Sequence, residues 1–445
     1  MKGAWVILWF LWPILRLYRT LRGSRREKTD LKITEVGSTS VEVLTDPIHK
    51  DDGLPILLIE GLFGFGHESY WRGLPQAIET SGRRRKLIFA KPGAVSSVHD
   101  RACEIFYQIK GGRTDYGKEH SDEFGHQRYG KTHPGLYPEW DKDHPIHVLG
   151  HSLGGCTGAM LQHMLATNQF EGHVTHADMI RSFSPICSPM RGTTIIHLLG
   201  LRSGGQAGFA LLSLSGIISR VLHFYQFIGL NFIWDFQMDH WPLFSLKRLV
   251  REGAEGIRMA VLWLITVMVR SPFAEGKDNA FYDLGLEGAC QSASKIKMNP
   301  NTFYRSYAAS MTRPAPFFGY HIPSNILHWP ALLLLSTYIG SRTRSSLKKV
   351  KESIGTTVEQ WFESDGVANT VSQYHPHSCR EDYCQHVRGF PSRMEKRPAL
   401  ERGKWQVVEL RGVTHFCLLP SFLVSSTQRQ FYKDYLEFLE EAEAC

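Results

Sequence analysis

No Asn-x-Ser/Thr acceptor occurs anywhere in the 445 residues. That absence disfavours a glycosylated secreted product. Cysteine is sparse: Cys103, Cys156, Cys187, Cys290, Cys379, Cys384, Cys417 and Cys445 are too few and too scattered for a disulfide scaffold. Only Cys379 and Cys384 lie close enough in sequence to suggest a pair. Zinc-finger spacing, RNA-binding signatures and repeated basic helices are missing, so nucleic acid is not an expected partner. Charged residues make up 21% and hydrophobic residues 42%, which excludes a disordered chain. The net charge of +8 is a mild excess for this length, and much of it sits in Arg16, Arg19, Arg22, Arg25, Arg26 and Lys28. A basic cluster beside apolar residues suits an anionic membrane surface.

That apolar neighbour is "AWVILWFLWPIL", Ala4–Leu15. It is shorter than the ~20 residues a spanning helix needs. It also lacks the small-residue cleavage site of a secretory signal. Trp5, Trp9 and Trp12 suit a headgroup interface. Residues 1–30 are therefore expected to act as a retained membrane anchor. A cleaved signal, with secretion, and a packing helix kinked by Pro13 stay open as alternatives.

Residues 31–445 are expected to form one large domain. "PILLIEG" (Pro55–Gly61), "KLIFAK" (Lys86–Lys91), "IHVLG" (Ile146–Gly150), "ALLLLST" (Ala331–Thr337) and "WQVVEL" (Trp405–Leu410) read as buried strands, being short apolar runs bounded by Gly, Pro or charge. "GCTGAMLQHMLATN" and the C-terminal "QRQFYKDYLEFLEEAEA" read as helices. Strands interleaved with helices predict an α/β domain with a mostly parallel sheet. Two regions break the alternation. Residues 100–140 are polar and His-rich. Residues 195–275 hold long apolar stretches, and Arg220, His223 and Tyr225 argue against a simple membrane span there.

"HVLGHSLGGCTGAML" contains the pattern G-x-S-x-G as Gly150-His151-Ser152-Leu153-Gly154. That motif needs a strand, a strained turn and a helix, with small neighbours around the serine. "IHVL" supplies the strand and "GGCTGAML" the helix, so Ser152 is the candidate nucleophile. A serine hydroxyl needs a base, and the base an orienting acid. His415 follows a predicted strand in "VVELRGVTHFCLLP". Asp365 lies at an Asp-Gly turn in "WFESDGVANTVS". Both are candidates, and each is also readable as an ordinary loop residue. The candidate oxyanion donors are the N–H groups of Leu153 and of Leu62, in the glycine-rich loop after the first strand.

Several segments together resemble one family, the bacterial triacylglycerol lipases of the thermophilic-bacillus and staphylococcal type. The strongest is "DRACEIFYQIKGGRTDYGKEHSDEFGHQRYGKTHPGLYPEW", Asp100–Trp140. Others are "GHSLGG", "SPMRGTT", "FQMDHWPL", "YDLGLEGA", "NPNTFY" and "ESDGVANTVS", in the same order over roughly residues 54–435. The resemblance implies an α/β-hydrolase fold and a Ser152, Asp365, His415 triad, with Leu62 and Leu153 at the oxyanion donors. It implies a structural zinc held by Asp100, His120, His126 and Asp239, carried by an insertion over 100–140. From spacing alone the two histidines would be solvent-exposed loop residues. It further implies a helical lid over 190–290, whose apolar inner face meets lipid once open.

The chain departs from the pattern in three places. Glu60-Gly61 stands where the family has His-Gly. Cys417 occupies the place of a calcium-binding Glu, and "FCLLPSFLVSS" holds no carboxylate, so the calcium site is expected to be lost. The N-terminal apolar segment suggests a membrane-tethered relative. The expected activity is hydrolysis of lipid carboxylic esters through an acyl-enzyme, at a membrane or lipid-droplet surface. A lipid acyltransferase or phospholipase with the same triad is the alternative within the class. A non-catalytic membrane-bound lipid-binding or scaffold protein is the alternative outside it. The sequence carries no reading of oligomeric state.

Overall fold

Most of the apolar runs become the buried strands of one sheet. In chain order the strands are β1 (Gly53–Ile59), β2 (Arg85–Phe89), β3 (Gly112–Asp115), β4 (Tyr129–His133), β5 (Ile146–His151), β6 (Ile180–Ile186), β7 (Phe303–Ser310), β8 (Thr312–Pro314), β9 (His321–Pro323), β10 (Cys384–Arg388) and β11 (Trp405–Arg411). Seven of them form the central sheet, in the order β10-β11-β7-β6-β5-β1-β2, with every neighbouring pair parallel. The computed structural model describes residues 52–64, 68–71, 73–202, 208–210, 212–229, 235–241, 255–265, 272–316, 319–341, 356–376, 384–419 and 425–445. The N-terminal apolar segment, several stretches of the expected lid and Cys379 lie outside them. Among the described residues no helix is long and apolar enough to cross a membrane.

A parallel sheet must bury both faces, because its crossover connections lie on them. The side chains divide accordingly. Leu57 and Ile59 of β1 join the core formed with the helices Val98–Lys110 and Leu153–Ala166. Ile56 and Leu58 join the opposite core, formed with the helix Ser426–Ala444. The insertion after Lys110 is a two-stranded antiparallel ribbon, β3 with β4, flanking the helix Lys118–Phe124.

One expected strand is a helix. "ALLLLST" lies in Pro330–Gly340, with Pro330 at its first turn, where a missing N–H costs nothing. Leu334 is 68% exposed and Leu332 is buried, so the run lies on the surface with one face packed. Short apolar runs do not distinguish strand from helix by themselves. Conversely, β6, β7 and β10 were not anticipated. β7 is buried at every position, yet it reads Phe-Tyr-Arg-Ser-Tyr-Ala-Ala-Ser. Its polar side chains are accommodated one by one: the Arg305 guanidinium meets the Asp434 carboxylate at 3.3 Å, and Ser306 Oγ donates to the Tyr374 carbonyl at 2.6 Å.

The foot of the sheet is closed by Glu443, near the end of the last helix. Its carboxylate takes the Arg83 and Arg85 guanidiniums, the Leu54 N–H at 3.1 Å and His147 Nε2 at 2.8 Å. His147 Nδ1 in turn accepts from Ser182 Oγ at 2.7 Å, so one acid gathers β1, β2, β5 and β6. Burial pushes this carboxyl up, but the hydrogen bonds from His147 and Arg85 outweigh burial and hold it down at about 2. A carboxyl depressed by folding contributes stability that is present above its unfolded pKa. That stability is lost as pH falls through the folded value. Glu443→Gln is expected to destabilise the fold at pH 7 by about 3 kcal/mol, because it strands the buried Arg85 guanidinium. The gap from wild type should close as pH falls from about 4.5 toward 2. Denaturant midpoints across that range measure it, and a pH-independent gap would contradict the assignment.

Candidate active site

The chain runs outward from β1 to β2 on one side, then resumes at β5 on the other. This reversal opens a crevice beyond the carboxyl ends of β1 and β5, where ligands of open parallel sheets bind. Ser152 stands there, between β5 and the helix Leu153–Ala166. Its backbone lies at φ 55°, ψ −124°, a region non-glycine residues rarely enter. Small neighbours make the turn possible. A Cβ on Gly154 would lie 2.2 Å from the Ile59 carbonyl oxygen, and one on Gly150 would lie 2.5 Å from the Gly154 oxygen. The glycines around Ser152 are therefore demanded by close approach of backbone to backbone.

His415 lies in the loop after β11, and Asp365 in a turn closed by Gly366 at φ 97°. Both are buried. His415 Nδ1 meets Asp365 Oδ2 at 2.7 Å, and the His415 N–H donates to the Asp365 carbonyl at 3.0 Å. The acid is itself pinned. Its Oδ1 accepts from the N–H groups of Val367 at 2.9 Å and Ala368 at 2.7 Å, and Oδ2 accepts from Gln373 Nε2 at 3.1 Å. The His415 ring packs 4.9 Å from that of His151, the residue before Ser152. The segments carrying Ser152, Asp365 and His415, far apart in sequence, thus converge on the crevice.

The loop after β1 closes the same corner. A Cβ on Gly61 would lie 3.0 Å from Ser152 Cβ. The amides flanking Leu62 are engaged: Gly61 N–H by Tyr70 Oη at 3.2 Å, and Phe63 N–H by the Ala94 carbonyl at 3.0 Å. Leu153 is the first residue of its helix, whose N–H has no carbonyl partner within that helix. Beneath the loop, buried Arg101 donates to the carbonyls of Glu60 and Gly93, each at 2.6 Å, and to Thr157 Oγ1 at 3.0 Å. It ties the loops after β1 and β2 to the serine's helix. Burial lowers Arg101 to about 10, which leaves it charged at neutral pH.

A second polar cluster lies where the insertion meets residues 236–241 and 273–279. Ligand atoms of Asp100, His120, His126 and Asp278 lie within 4.8 Å of one another. Asp239, expected as the fourth, is elsewhere: its carboxylate is 40% exposed and pairs with Lys131 Nζ at 2.9 Å. The carboxylate completing the cluster is Asp278, just before Asn279, the cap of the helix Ala280–Asp283. His240, the neighbour of Asp239, reaches the cluster instead and meets Asp100 Oδ2 at 3.0 Å. His126 Nδ1 donates to the Gln127 carbonyl at 3.0 Å, so its Nε2 faces inward as a lone pair. His120 Nε2 lies 3.1 Å from Asp100 Oδ1 and 3.2 Å from Asp278 Oδ1, and His126 Nε2 lies 3.4 Å from Asp278 Oδ2. Burial pushes the Asp100 carboxyl up, but hydrogen bonds from His120, His240 and His99 outweigh it and hold the carboxyl well below the usual range. Two His and two Asp whose side-chain atoms converge on one buried point form a donor set compatible with a divalent cation.

Sequence reasoning missed Asp278, His240, Tyr70, Arg101 and Gln373. Only the motif context drew attention to His151, and then as a filler position. Asp278 and Asp239 carry no spacing that separates ligand from surface residue.

The parallel sheet and the serine elbow define the α/β-hydrolase class. Residues 54–416 match the family model described as "Lipase-like, C-terminal domain", and the chain belongs to that family. It is 26% identical to the lipase of Staphylococcus hyicus over 91% of this chain and 60% of that protein. It is 28% identical to Lipase 1 of Staphylococcus aureus over 79% of this chain and 48% of that protein. The chain thus spans between about half and three-fifths of the length of these relatives. The crystal structure of the S. hyicus lipase superposes with a TM-score of 0.68 at 25% identity, covering 90% of this chain and all of that one.

The placement of the two aspartates gives a direct test. Wild type and Asp239→Ala are both expected to retain about one equivalent of a divalent metal, and Asp278→Ala to lose it. Elemental analysis after desalting decides it. The reverse order would restore Asp239 as the ligand.

Proposed function

We propose that this chain hydrolyses carboxylic esters of lipids, through an acyl-enzyme formed on Ser152. The observation that carries this reading is the buried pair of His415 Nδ1 and Asp365 Oδ2, 2.7 Å apart, beside a strained Ser152. Donation from Nδ1 to the carboxylate leaves His415 Nε2 as the basic nitrogen. His415 then takes the proton from Ser152 Oγ as that oxygen bonds to the ester carbonyl carbon. The tetrahedral oxyanion is received by the N–H groups of Leu62 and Leu153. Collapse expels the alcohol, which leaves with the proton from His415. Water, deprotonated by the same imidazole, releases the fatty acid and frees the serine.

Asp100, His120, His126 and Asp278 would hold a structural zinc, because two His and two carboxylates make a closed tetrahedral set. Its contribution is cohesion: it joins the insertion to the segment leading into the helix Ala280–Asp283. No calcium enters the reading, since Cys417 offers a thiol raised by burial to about 12 in place of a carboxylate. The helix Leu214–Ile228 exposes Ile217, Val221, Phe224 and Ile228 at helical spacing, which supports a lid that meets lipid. With the N-terminal apolar segment and its arginines, this favours work at a membrane or lipid-droplet surface; secretion after signal cleavage is the other destination.

A fluorophosphonate is expected to label wild-type Ser152. Ser152→Ala is expected to lose both labelling and at least about 10³-fold in ester hydrolysis with an unchanged circular dichroism spectrum. Full hydrolysis by that variant would remove the mechanism. Product analysis with an added alcohol acceptor separates hydrolysis from transfer.

A further inference from the structure

The residue before the elbow serine is a histidine with both ring nitrogens committed. His151 is buried. Its Nδ1 lies 2.6 Å from Tyr70 Oη, and its Nε2 lies 3.0 Å from the carbonyl oxygen of His415. Tyr70 Oη is in turn 3.2 Å from the Gly61 N–H. The two ends of this chain fix its polarity. A peptide N–H only donates and a carbonyl only accepts. With neutral imidazole, Gly61 N–H donates to Tyr70 Oη, Tyr70 O–H donates to His151 Nδ1, and His151 Nε2–H donates to the His415 carbonyl. Burial and the neighbouring His415 hold His151 well below the usual histidine range, and burial raises the Tyr70 phenol. Both members are therefore uncharged across the neutral range.

The ends of the chain matter for what they adjoin. Gly61 immediately precedes Leu62, and its Cα faces Ser152, since a Cβ there would lie 3.0 Å from Ser152 Cβ. The other end is the main chain of His415 itself. We infer that Tyr70 and His151 are positioning residues, which lock the oxyanion loop and the catalytic imidazole to one another through three hydrogen bonds in series. The inference rests on the triad reading above. Neither side chain is asked to touch the substrate. Their work is to keep the Leu62 N–H and the His415 ring in register with Ser152, where a misplacement near 1 Å costs about 10²-fold in rate. The arrangement also gives His151 a reason to be histidine. Few side chains both accept from a phenol and donate to a carbonyl on opposite edges of one rigid ring.

The test is steady-state hydrolysis of a soluble p-nitrophenyl ester by the full chain. Active sites are counted with a fluorophosphonate, so that kcat refers to labelled enzyme. Tyr70→Phe is expected to lower kcat by about 10- to 100-fold and to leave KM within about twofold. His151→Gln keeps a donor for the carbonyl and an acceptor for the phenol, so it should retain clearly more kcat than His151→Ala. Because the bonds act in series, adding Tyr70→Phe to His151→Ala should cost less than about threefold more. Wild-type kcat per labelled site in Tyr70→Phe overturns the inference. So do simple addition of the logarithmic losses in the double variant and equal losses in the Gln and Ala variants. If His151→Ala does not fold, the Tyr70→Phe value decides alone. Absence of label on wild-type Ser152 is a different failure, which removes the triad reading.

Discussion

The site depends on how closely the helix starting at Leu153 approaches the carboxyl end of β1. No side chain fits between them, since a Cβ at Gly154 would lie 2.2 Å from the Ile59 oxygen. That contact forces Ser152 into its unusual backbone angles. It also brings the loop after β1 against the serine, so that the strained residue and the Leu62 amide share one corner. The buried Arg101 guanidinium holds the corner from below by taking carbonyl groups that a tight bend leaves without partners. The charge is tolerable there because its donors meet three oxygen acceptors and the nearby Glu104 and Glu60 carboxyls favour it.

The two polar clusters differ in which groups surround the carboxylates. Around Asp365 the carboxylate oxygens are saturated by two backbone amides, Gln373 and His415. A saturated carboxylate is rigid and has no lone pair left for a cation, which suits an orienting role. Around Asp100 and Asp278 the carboxylates and the imidazoles of His120 and His126 converge on one point, their ligand atoms within 4.8 Å of one another. On the proposed reading, the same residue types, His and Asp, serve orientation in one place and coordination in the other. The surrounding groups, more than residue identity, distinguish them.

Much of this was legible beforehand. G-x-S-x-G between a strand pattern and a helix pattern marked the elbow, and the apolar runs at Pro55, Lys86, Ile146 and Trp405 became β1, β2, β5 and β11. Asp365 stood out because an Asp-Gly turn leaves its own trace. What stayed hidden was set by partners distant in sequence. β7 reads as polar until Asp434 and the Tyr374 carbonyl are placed beside Arg305 and Ser306. Asp278 and Asp239 are equivalent as letters, and only the fold carries one inward and leaves the other with Lys131. Tyr70 and His151 belong to no spacing rule, because their significance is a chain of contacts between separate loops.

Glu443 has a kinetic meaning as well. It meets the Leu54 amide across 389 residues of chain. Bringing together ends that far apart costs about 3 kcal/mol more in loop-closure entropy than closing a ten-residue turn. The sheet gains that contact only by closing a loop of that length. Long-range closure of this sort slows folding and makes the final helix a late arrival. Before it docks, the aromatic face that it covers, with Phe431, Tyr435 and Phe438 as its own share, lies open to solvent. The lasting hazard of this architecture is thus the interval before its last helix lands, when association competes with completion.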